Sequence, residues 1–423
     1  MKKRKLVVLS ADAMIPEDVE YLSNKPFVQK ILKEGVWINS LRTVYPANTY
    51  PCHASMITGC YPDKTGVDTN YYKGTKTWRA ERDNIQVKTL IDYAKENGYT
   101  TANVYWPVLG DDKNIDYNIP EYFSTYENLI DTFKTHGTSD DVIDKIVKPN
   151  MHILGGHDNE GEPYAGDFIY KCAVDMILTY KPDVLLIHPC PLDSMRHKKG
   201  VFADEVNQEA IRTYDWVCKL YDAVCAIGEE DNTDFVWMSD HGQLTVLYWS
   251  RPVTLLTKAG LITLDKDNNV LDSRVKTWQF NGSVMVKALD DDARDLAYKT
   301  LKDGEQSLGG FKLYDKATAT KLFHIADYDY DFFIDSDGIY GVGWEPYGPY
   351  FSTIAEGVIR PCGNHGYSPD VGHQPTFLAI GPDFKQGVRL ARVETVNIPV
   401  TLAKCLGITM EDRDGVVVEE ILK

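Results

Sequence analysis

The sequence predicts an α/β protein: a mostly parallel sheet between helical layers, carrying a small inserted α+β cap. Three observations lead there. Short runs dense in Val, Ile, Leu and aromatics alternate with longer helical patterns, the order that builds a parallel sheet covered by helices. The apolar runs are near-continuous, as strands buried on both faces are. Between about 243 and 362 the composition shifts toward Asp, Lys, Gly and Tyr, which marks the insertion.

Six strands are expected, at 6–11, 37–44, 101–106, 183–188, 235–239 and 376–380. The strongest helix spans 204–227. There Val206, Ala210, Ile211, Tyr214, Val217, Leu220, Tyr221 and Val224 recur three and four apart and line one face. A second helix covers 87–97 and is closed by Gly98. A third opens at Pro399, runs through Cys405 and ends at Gly407. Inside the insertion, 279–288 reads as strand and 291–303 as helix, while 107–165 is polar and reads as peripheral. The expected division is a core of 1–242 and 363–423 with a cap of 243–362.

Composition narrows the function. At 423 residues and 43% hydrophobic content the chain can build a large core. Lys and Arg total 45 against 62 Asp and Glu, a net charge of −17. That balance argues against a nucleic-acid polymer as partner, because such binding needs cationic surface. A small anion stays compatible, since bound metal reverses local charge. No apolar run reaches the ~18 residues of a membrane span. The run at 6–9 falls short of the ~7–15 residues of a signal core. The expectation is a cytoplasmic protein with no membrane partner; oligomeric state is left open. The eight cysteines form no CxxC pair and read as free thiols.

Four clusters follow expected strands, and open α/β sheets bind ligands beyond strand carboxyl ends. Asp12 comes after the first strand; alone it is as readily a turn residue. Thr49 lies where strand, turn and helix meet, with Pro51 in the first helical turn and Gly59 at the end. Free N–H groups at such a helix start favour an anion, although a simple N-cap explains Thr49 alone. Asp193 and His197, four apart, share a helical face and can chelate one metal or form an ion pair. Asp240 and His241 must lie in the turn past their strand, which Gly242 permits. A fifth piece, His365 between Gly363 and Gly366, precedes the last strand. Together three Asp and three His suffice for two divalent cations, with Thr49 completing one sphere. Zinc suits this set best, and manganese or magnesium is compatible.

This order resembles the alkaline phosphatase superfamily, most closely its nucleotide pyrophosphatase/phosphodiesterase branch. Thr49-Tyr50-Pro51-Cys52-His53 matches a TFPNH-like stretch, and Thr58-Gly59-Cys60-Tyr61-Pro62 a TGxYP turn. Asp193, Ser194 and His197 match DSxxH, Ser239 to Gly242 match SDHG, and His365-Gly366 the late HG. The match runs in order from Asp12 to about Leu406, the cap aside. The combination is specific, whereas no single piece is.

The resemblance implies an alkaline-phosphatase-like three-layer α/β/α core. It implies Thr49 as nucleophile, one metal site of Asp193, His197 and His365, and another of Asp12, Asp240, His241 and the Thr49 oxygen. Asn70 would hydrogen-bond a phosphoryl oxygen. Tyr105-Trp106-Pro107 matches a family strand end. Apart from the resemblance, Tyr71, Tyr72, Trp106 and Trp344 could stack a base, although surface and core positions are the commoner explanation of such aromatics; Tyr71 and Trp106 are the substrate contacts expected. The implied activity is metal-dependent phosphodiester or pyrophosphate hydrolysis through a phospho-threonine, on a small phosphate-containing anion. Phosphonoacetate hydrolysis and phosphomonoester hydrolysis are the alternatives on the same core. A sulfatase would need a CxPSR-like motif that is absent, and a non-catalytic binding protein would have lost ligands that are all present. Ala13 replaces the usual Gly, Cys52 replaces an Asn, and Asp370 and His373 fall outside the pattern. His53 reads as packing behind the nucleophile turn. His136, His152, His157, His188 and His324 read as ordinary.

Overall fold

The computed structural model describes residues 3–72, 75–325, 327–353 and 363–423. In chain order the principal strands are β1 (Lys5–Ser10), β2 (Val36–Arg42), β3 (Thr101–Val104), β4 (Tyr117–Ile119), β5 (Val184–Ile187) and β6 (Thr233–Met238). Next come β7 (Val275–Phe280), β8 (Ser283–Ala288), β9 (Lys312–Asp315) and β10 (Phe332–Asp335), then β11 (Phe377–Ile380) and β12 (Val388–Glu394). The large sheet has the order β12-β2-β11-β6-β1-β5-β3-β4. Only β11 runs against its neighbours, β2 and β6; the other pairings are parallel.

Alternation along each strand splits the core into two layers. Val7, Leu9, Leu185, Ile187, Phe235 and Trp237 face α3 (Tyr164–Tyr180), α4 (Pro191–Lys199) and α5 (Asp204–Ala226). Leu6, Val8, Leu186 and Val236 face α1 (Thr49–Thr58), α2 (Leu90–Glu96) and α7 (Asn397–Cys405). Burial on both faces is why the strands read as unbroken apolar runs. The expected helices appear within a few residues of their limits.

Four differences have physical causes. β4 and β12 close the two sheet edges and were not expected: β4 has three residues, and β12 alternates apolar with Arg on a half-open edge. The 107–165 stretch is not peripheral. It supplies β4, and Phe133, Val142, Ile143, Ile146, Val147 and Leu154 are fully buried in the core; interspersed charges had hidden that apolar face. The strand expected at 101–106 stops at Val104, because Tyr105 turns it with φ +64°. The strand expected at 279–288 takes in the last two residues of β7, the turn and the second arm of a hairpin. Asn281-Gly282, an Asn-Gly pair of the kind hairpins favour, joins β7 to β8.

Strands β7-β8-β10-β9 form a separate antiparallel sheet, with α6 (Asp291–Ser307) packed on it through Ala293, Ala297 and Leu301. The tip of its hairpin reaches the large sheet's loops: Gly282 N–H donates to the Gly366 carbonyl at 3.1 Å, and Asn281 donates to the Asp68 carbonyl at 3.3 Å. Seven cysteines are free thiols among the described residues; Cys362 lies outside them.

Candidate metal centre and nucleophile

The carboxyl ends of β1, β5 and β6 and the start of α1 converge on one point. Asp12 follows β1 and is 2% exposed. Thr49 is the first residue of α1, so Asn48, in extended backbone, is the N-cap rather than Thr49. α1 ends where Gly59 turns left-handed at φ +72°. Asp193 and His197 lie on α4, one turn apart, with Oδ2 and Nε2 3.3 Å from each other. Asp240 and His241 follow β6 in a buried turn. Gly242 is required there, because a Cβ would sit 1.8 Å from the His373 carbonyl oxygen.

Three histidines are oriented in the same way. His197 Nδ1 donates to the Gly363 carbonyl at 2.8 Å, His241 Nδ1 to the Gly242 carbonyl at 3.2 Å, and His365 Nδ1 to the Ala47 carbonyl at 3.0 Å. In the neutral ring each bond fixes the tautomer and puts the lone pair on Nε2. Those Nε2 atoms face carboxylates. His241 is 3.4 Å from Asp12 Oδ1 and 3.3 Å from Asp240 Oδ2; His365 is 3.7 Å from Asp193 Oδ1. The Thr49 hydroxyl lies 3.4 Å from His241 Nε2.

Three donor sets adjoin. Asp193, His197 and His365 place their ligand atoms within 4.8 Å of one another, as do Asp12, Asp193 and His241, and Asp12, His188 and Cys190. Asp12 Oδ1 and Asp240 Oδ2 are buried without a hydrogen-bond partner. Such oxygens are costly unless a cation or proton meets them, so the residues present fit bound metal. Burial, with Asp240 adding to it, pushes the Asp12 carboxyl well above its usual range. Burial lowers His241 to about 4 and His365 to about 3, which keeps both neutral and able to ligate at neutral pH. Burial works against charge on His197 too, but Asp193 beside it outweighs this and holds it up.

A second ring of side chains holds these groups in place. His53 Nδ1 donates to the Thr49 carbonyl at 2.8 Å and its Nε2 meets the Ser10 hydroxyl at 2.9 Å, which ties α1 to β1. Gln243 donates to Asp193 Oδ1. Arg196, fully buried on α4 between Asp193 and His197, pairs with Asp18 at 2.7 Å and donates to the Ala13 carbonyl at 3.2 Å. Ala13 sits at φ +57°, and its N–H donates to Asp240 at 3.3 Å. The departure from Gly after Asp12 is thus held from both sides. His188, read from sequence as ordinary, is fully buried with Nε2 3.4 Å from Asp12 Oδ2. Its place at the end of an expected strand was the available signal. For Arg196 and Gln243 the sequence carried no signal, because their partners lie far along the chain.

Asn70 accepts a hydrogen bond from the Tyr50 N–H at 3.0 Å, beside Thr49. It lines a cavity of about 550 Å³ together with Tyr71, Tyr72, His365 and, from the insertion, Trp278 and Tyr328. Trp106 does not reach it. The residue is 1% exposed, and its indole N–H donates to the His53 carbonyl at 3.4 Å. It packs behind the site, so the substrate contact expected of it is corrected: the turn at Tyr105 sends the ring inward. Trp344 is 44% exposed in the insertion. A second cavity, about 140 Å³, opens beside Asp12, Thr49 and Asp193 on a different side.

Comparison with known proteins adds the following. The family model described as type I phosphodiesterase / nucleotide pyrophosphatase matches residues 6–336. The chain is 24% identical to ectonucleotide pyrophosphatase/phosphodiesterase family member 7 of Rattus norvegicus over 435 residues, covering 98% of this chain and 86% of that protein. It is 29% identical to the bis(5'-adenosyl)-triphosphatase ENPP4 of Bos taurus over 430 residues, covering 97% and 80%. The solved structure of murine ectonucleotide pyrophosphatase / phosphodiesterase 5 superposes with a TM-score of 0.69 at 15% identity, covering 99% of this chain and all of that one. A structure of an inactive variant of that murine protein, in complex with AMP, matches with the same score.

Proposed function

The chain belongs to the type I phosphodiesterase / nucleotide pyrophosphatase family, and from that premise we propose that it cleaves phosphoric diesters in two steps through Thr49. It is a hydrolase of phosphoric esters with an alkaline-phosphatase-like α/β fold. The observation that carries the finer reading is the Thr49 hydroxyl at a helix start, 3.4 Å from His241 and beside two unpartnered buried carboxylate oxygens.

Asp193, His197 and His365 would hold one divalent ion, and Asp12, Asp240, His241 and Thr49 the other. When bound, such ions lower the hydroxyl's pKa and neutralise charge on the phosphoryl group. Zinc suits the mixed His and Asp donors. The Thr49 oxygen attacks phosphorus as the bond to the departing alkoxide breaks, and that alkoxide takes up a proton. The Thr49 backbone N–H and the Asn70 amide N–H₂ bind the equatorial oxygens. Water then cleaves the threonine–phosphate bond, returning the proton to Thr49 and releasing the phosphomonoester. Tyr71 and the insertion residues of the larger cavity contact one arm of the substrate. In this reading 243–362 is a cap over the core, and the buried free thiols favour a cytoplasmic location.

Phosphomonoesters and phosphonoacetate fit less well, because a dianionic end needs cationic groups to meet it. Arg79, the one Lys or Arg among the described residues lining the larger cavity, is already held by Asp68 at 2.8 Å. The test compares bis-p-nitrophenyl phosphate, p-nitrophenyl phosphate and phosphonoacetate before and after chelation and zinc refill, with Thr49→Ala alongside. Metal-restored activity strongest on the diester, lost in Thr49→Ala with its fold intact, is expected. Near-wild-type turnover by Thr49→Ala would overturn the covalent route.

A further inference from the structure

His188 is oriented as the three candidate ligand histidines are, yet it belongs to neither of the two ion sites. Its Nδ1 meets the Ser10 carbonyl at 3.1 Å, so in the neutral ring the lone pair is on Nε2. That atom lies 3.4 Å from Asp12 Oδ2 and 3.4 Å from Cys190 Sγ. Asp12 therefore turns Oδ1 to His241 and Oδ2 to His188.

Backbone holds all three donors. The Asp12 N–H donates to the Pro189 carbonyl at 3.2 Å, which ties the end of β1 to the segment carrying His188 and Cys190. The His188 N–H donates to the Val104 carbonyl at 3.1 Å, and its ring packs on His53 at 4.1 Å. Cys190 is the N-cap of α4, and its carbonyl accepts from the Ser194 N–H at 3.1 Å. Its side chain takes no part in the cap, so the thiol is left to face His188. Pro189 and Pro191 flank it and restrict the backbone on either side.

Spacing and donor type name the ligand. An imidazole lone pair facing a carboxylate is stabilised by a proton or a cation between them. A thiol has one proton and serves one lone pair; an ion meets all three donors. Around tetrahedral zinc, bonds of about 2.0–2.3 Å set neighbouring N, O and S atoms roughly 3.3–3.6 Å apart, and both His188 separations fall there. The sulfur favours zinc and its soft relatives over magnesium or calcium, which take oxygen. Asp12 and Cys190 also line the smaller cavity, about 140 Å³, which leaves room for a water as fourth ligand. Glu121, Glu160 and Glu162 line the same cavity, and no Lys or Arg is among its described lining residues. Glu121 Oε2 is buried without a hydrogen-bond partner. The surroundings favour positive charge.

We propose that Asp12, His188 and Cys190 bind a third divalent ion of the thiophilic class that zinc represents, with Asp12 bridging it to the ion at Asp240 and His241. On binding, the Cys190 S–H bond breaks, the sulfur keeps the electron pair and bonds the metal, and the proton passes to the buffer. The ion clasps the end of β1 to the start of α4 and holds Asp12 from the side away from His241. The inference goes beyond the diesterase reading and needs no substrate.

The test titrates chelator-stripped, thiol-reduced protein with cobalt(II), and with zinc followed by metal analysis. We expect three ions per chain and a near-ultraviolet sulfur-to-cobalt charge-transfer band that excess magnesium does not remove. Cys190→Ala keeps the helix cap, which is made by the carbonyl; it should bind two ions and lose the band while retaining the visible cobalt bands. Cys190→Ser, closer in shape, should lose the band as well, which guards against a folding defect in the alanine variant. Two ions and no band in the wild type, or a band that survives in both variants, would overturn the third site and leave the two-ion centre standing. One ion per chain with the full band would support the Cys190 site and overturn the two-ion centre instead.

Discussion

Thr49 Oγ1 and His241 Nε2 stand 3.4 Å apart, although 192 residues separate them in the chain. Each is fixed from behind by an imidazole–carbonyl bond: His53 Nδ1 donates to the Thr49 carbonyl, and His241 Nδ1 donates to the Gly242 carbonyl. If Thr49 attacks as proposed, a hydroxyl held this way loses little entropy on reaching the attacking geometry.

Asn70 offers a way to separate binding from packing. Its Oδ1 accepts from the Tyr50 N–H, so its amide N–H₂ is the group left for a phosphoryl oxygen. Asn70→Asp keeps the acceptor and removes the donor. We expect kcat on bis-p-nitrophenyl phosphate to fall ~10²-fold, with thermal stability little changed, by analogy with loss of one oxyanion donor. An unchanged kcat would take Asn70 out of the reaction.

Arg196 joins the two ligand sets, because its helix carries Asp193 and His197 while its guanidinium holds Asp18 and the Ala13 carbonyl next to Asp12. Arg196→Met strands Asp18, which is 6% exposed. We expect a loss of about 3–5 kcal/mol in urea unfolding and weaker zinc retention against a chelator. In the double variant Arg196→Met/Asp18→Leu much of the stability returns, because the unpaired charge is gone, while zinc retention stays impaired. Full recovery of zinc retention would show that the clamp does not position the ligands.

The candidate metal ligands were legible because each belongs to a local motif, and all but His365, which precedes the last strand, also follow a buried apolar run. His188 followed such a run too, but no motif singled it out. Arg196, Glu121 and Gln243 were illegible for another reason: their partners Asp18, the smaller cavity and Asp193 come from other segments. Trp106 was misread because extending β3 by two residues placed it on a strand end, whereas Tyr105 at φ +64° turns it inward. The edge strand β12 escaped because its Val, Leu and Ala alternate with Arg, and one of those, Arg389, stacks on Trp37 at 4.0 Å.

Glu162 links the smaller cavity to stability. Burial raises its carboxyl from the ordinary 4.5 to about 8. Below pH 4.5 the folded and unfolded chains both carry the proton, and the stabilisation it confers is complete. As pH rises toward 8 the unfolded chain releases the proton first, so stability falls across that window. Glu162→Gln removes the effect. The variant should therefore gain on the wild type as pH rises from 4.5 to 8, by about 1 kcal/mol or more, read from urea unfolding at each pH. A difference that stays flat with pH would mean Glu162 is already charged in the folded protein.

Metal loading should release protons. In the metal-free protein, burial and the neighbouring Asp240 keep the Asp12 carboxyl well above its usual range, whereas His241 and His365 are already neutral at pH 7. A divalent ion requires Asp12 ionised, so the proton leaves as the ion enters. Zinc titrated into chelator-stripped enzyme at pH 7, in buffers of different ionisation enthalpy, should show net proton release into the buffer. His241 and His365 contribute nothing to it, being deprotonated beforehand, whereas His197, which Asp193 holds up, adds to it. Asp12→Asn should reduce the release and lower the zinc stoichiometry together. Zinc binding at wild-type stoichiometry with no proton released would mean that Asp12 is ionised before the metal arrives, and that its unpartnered Oδ1 is balanced by something other than a proton.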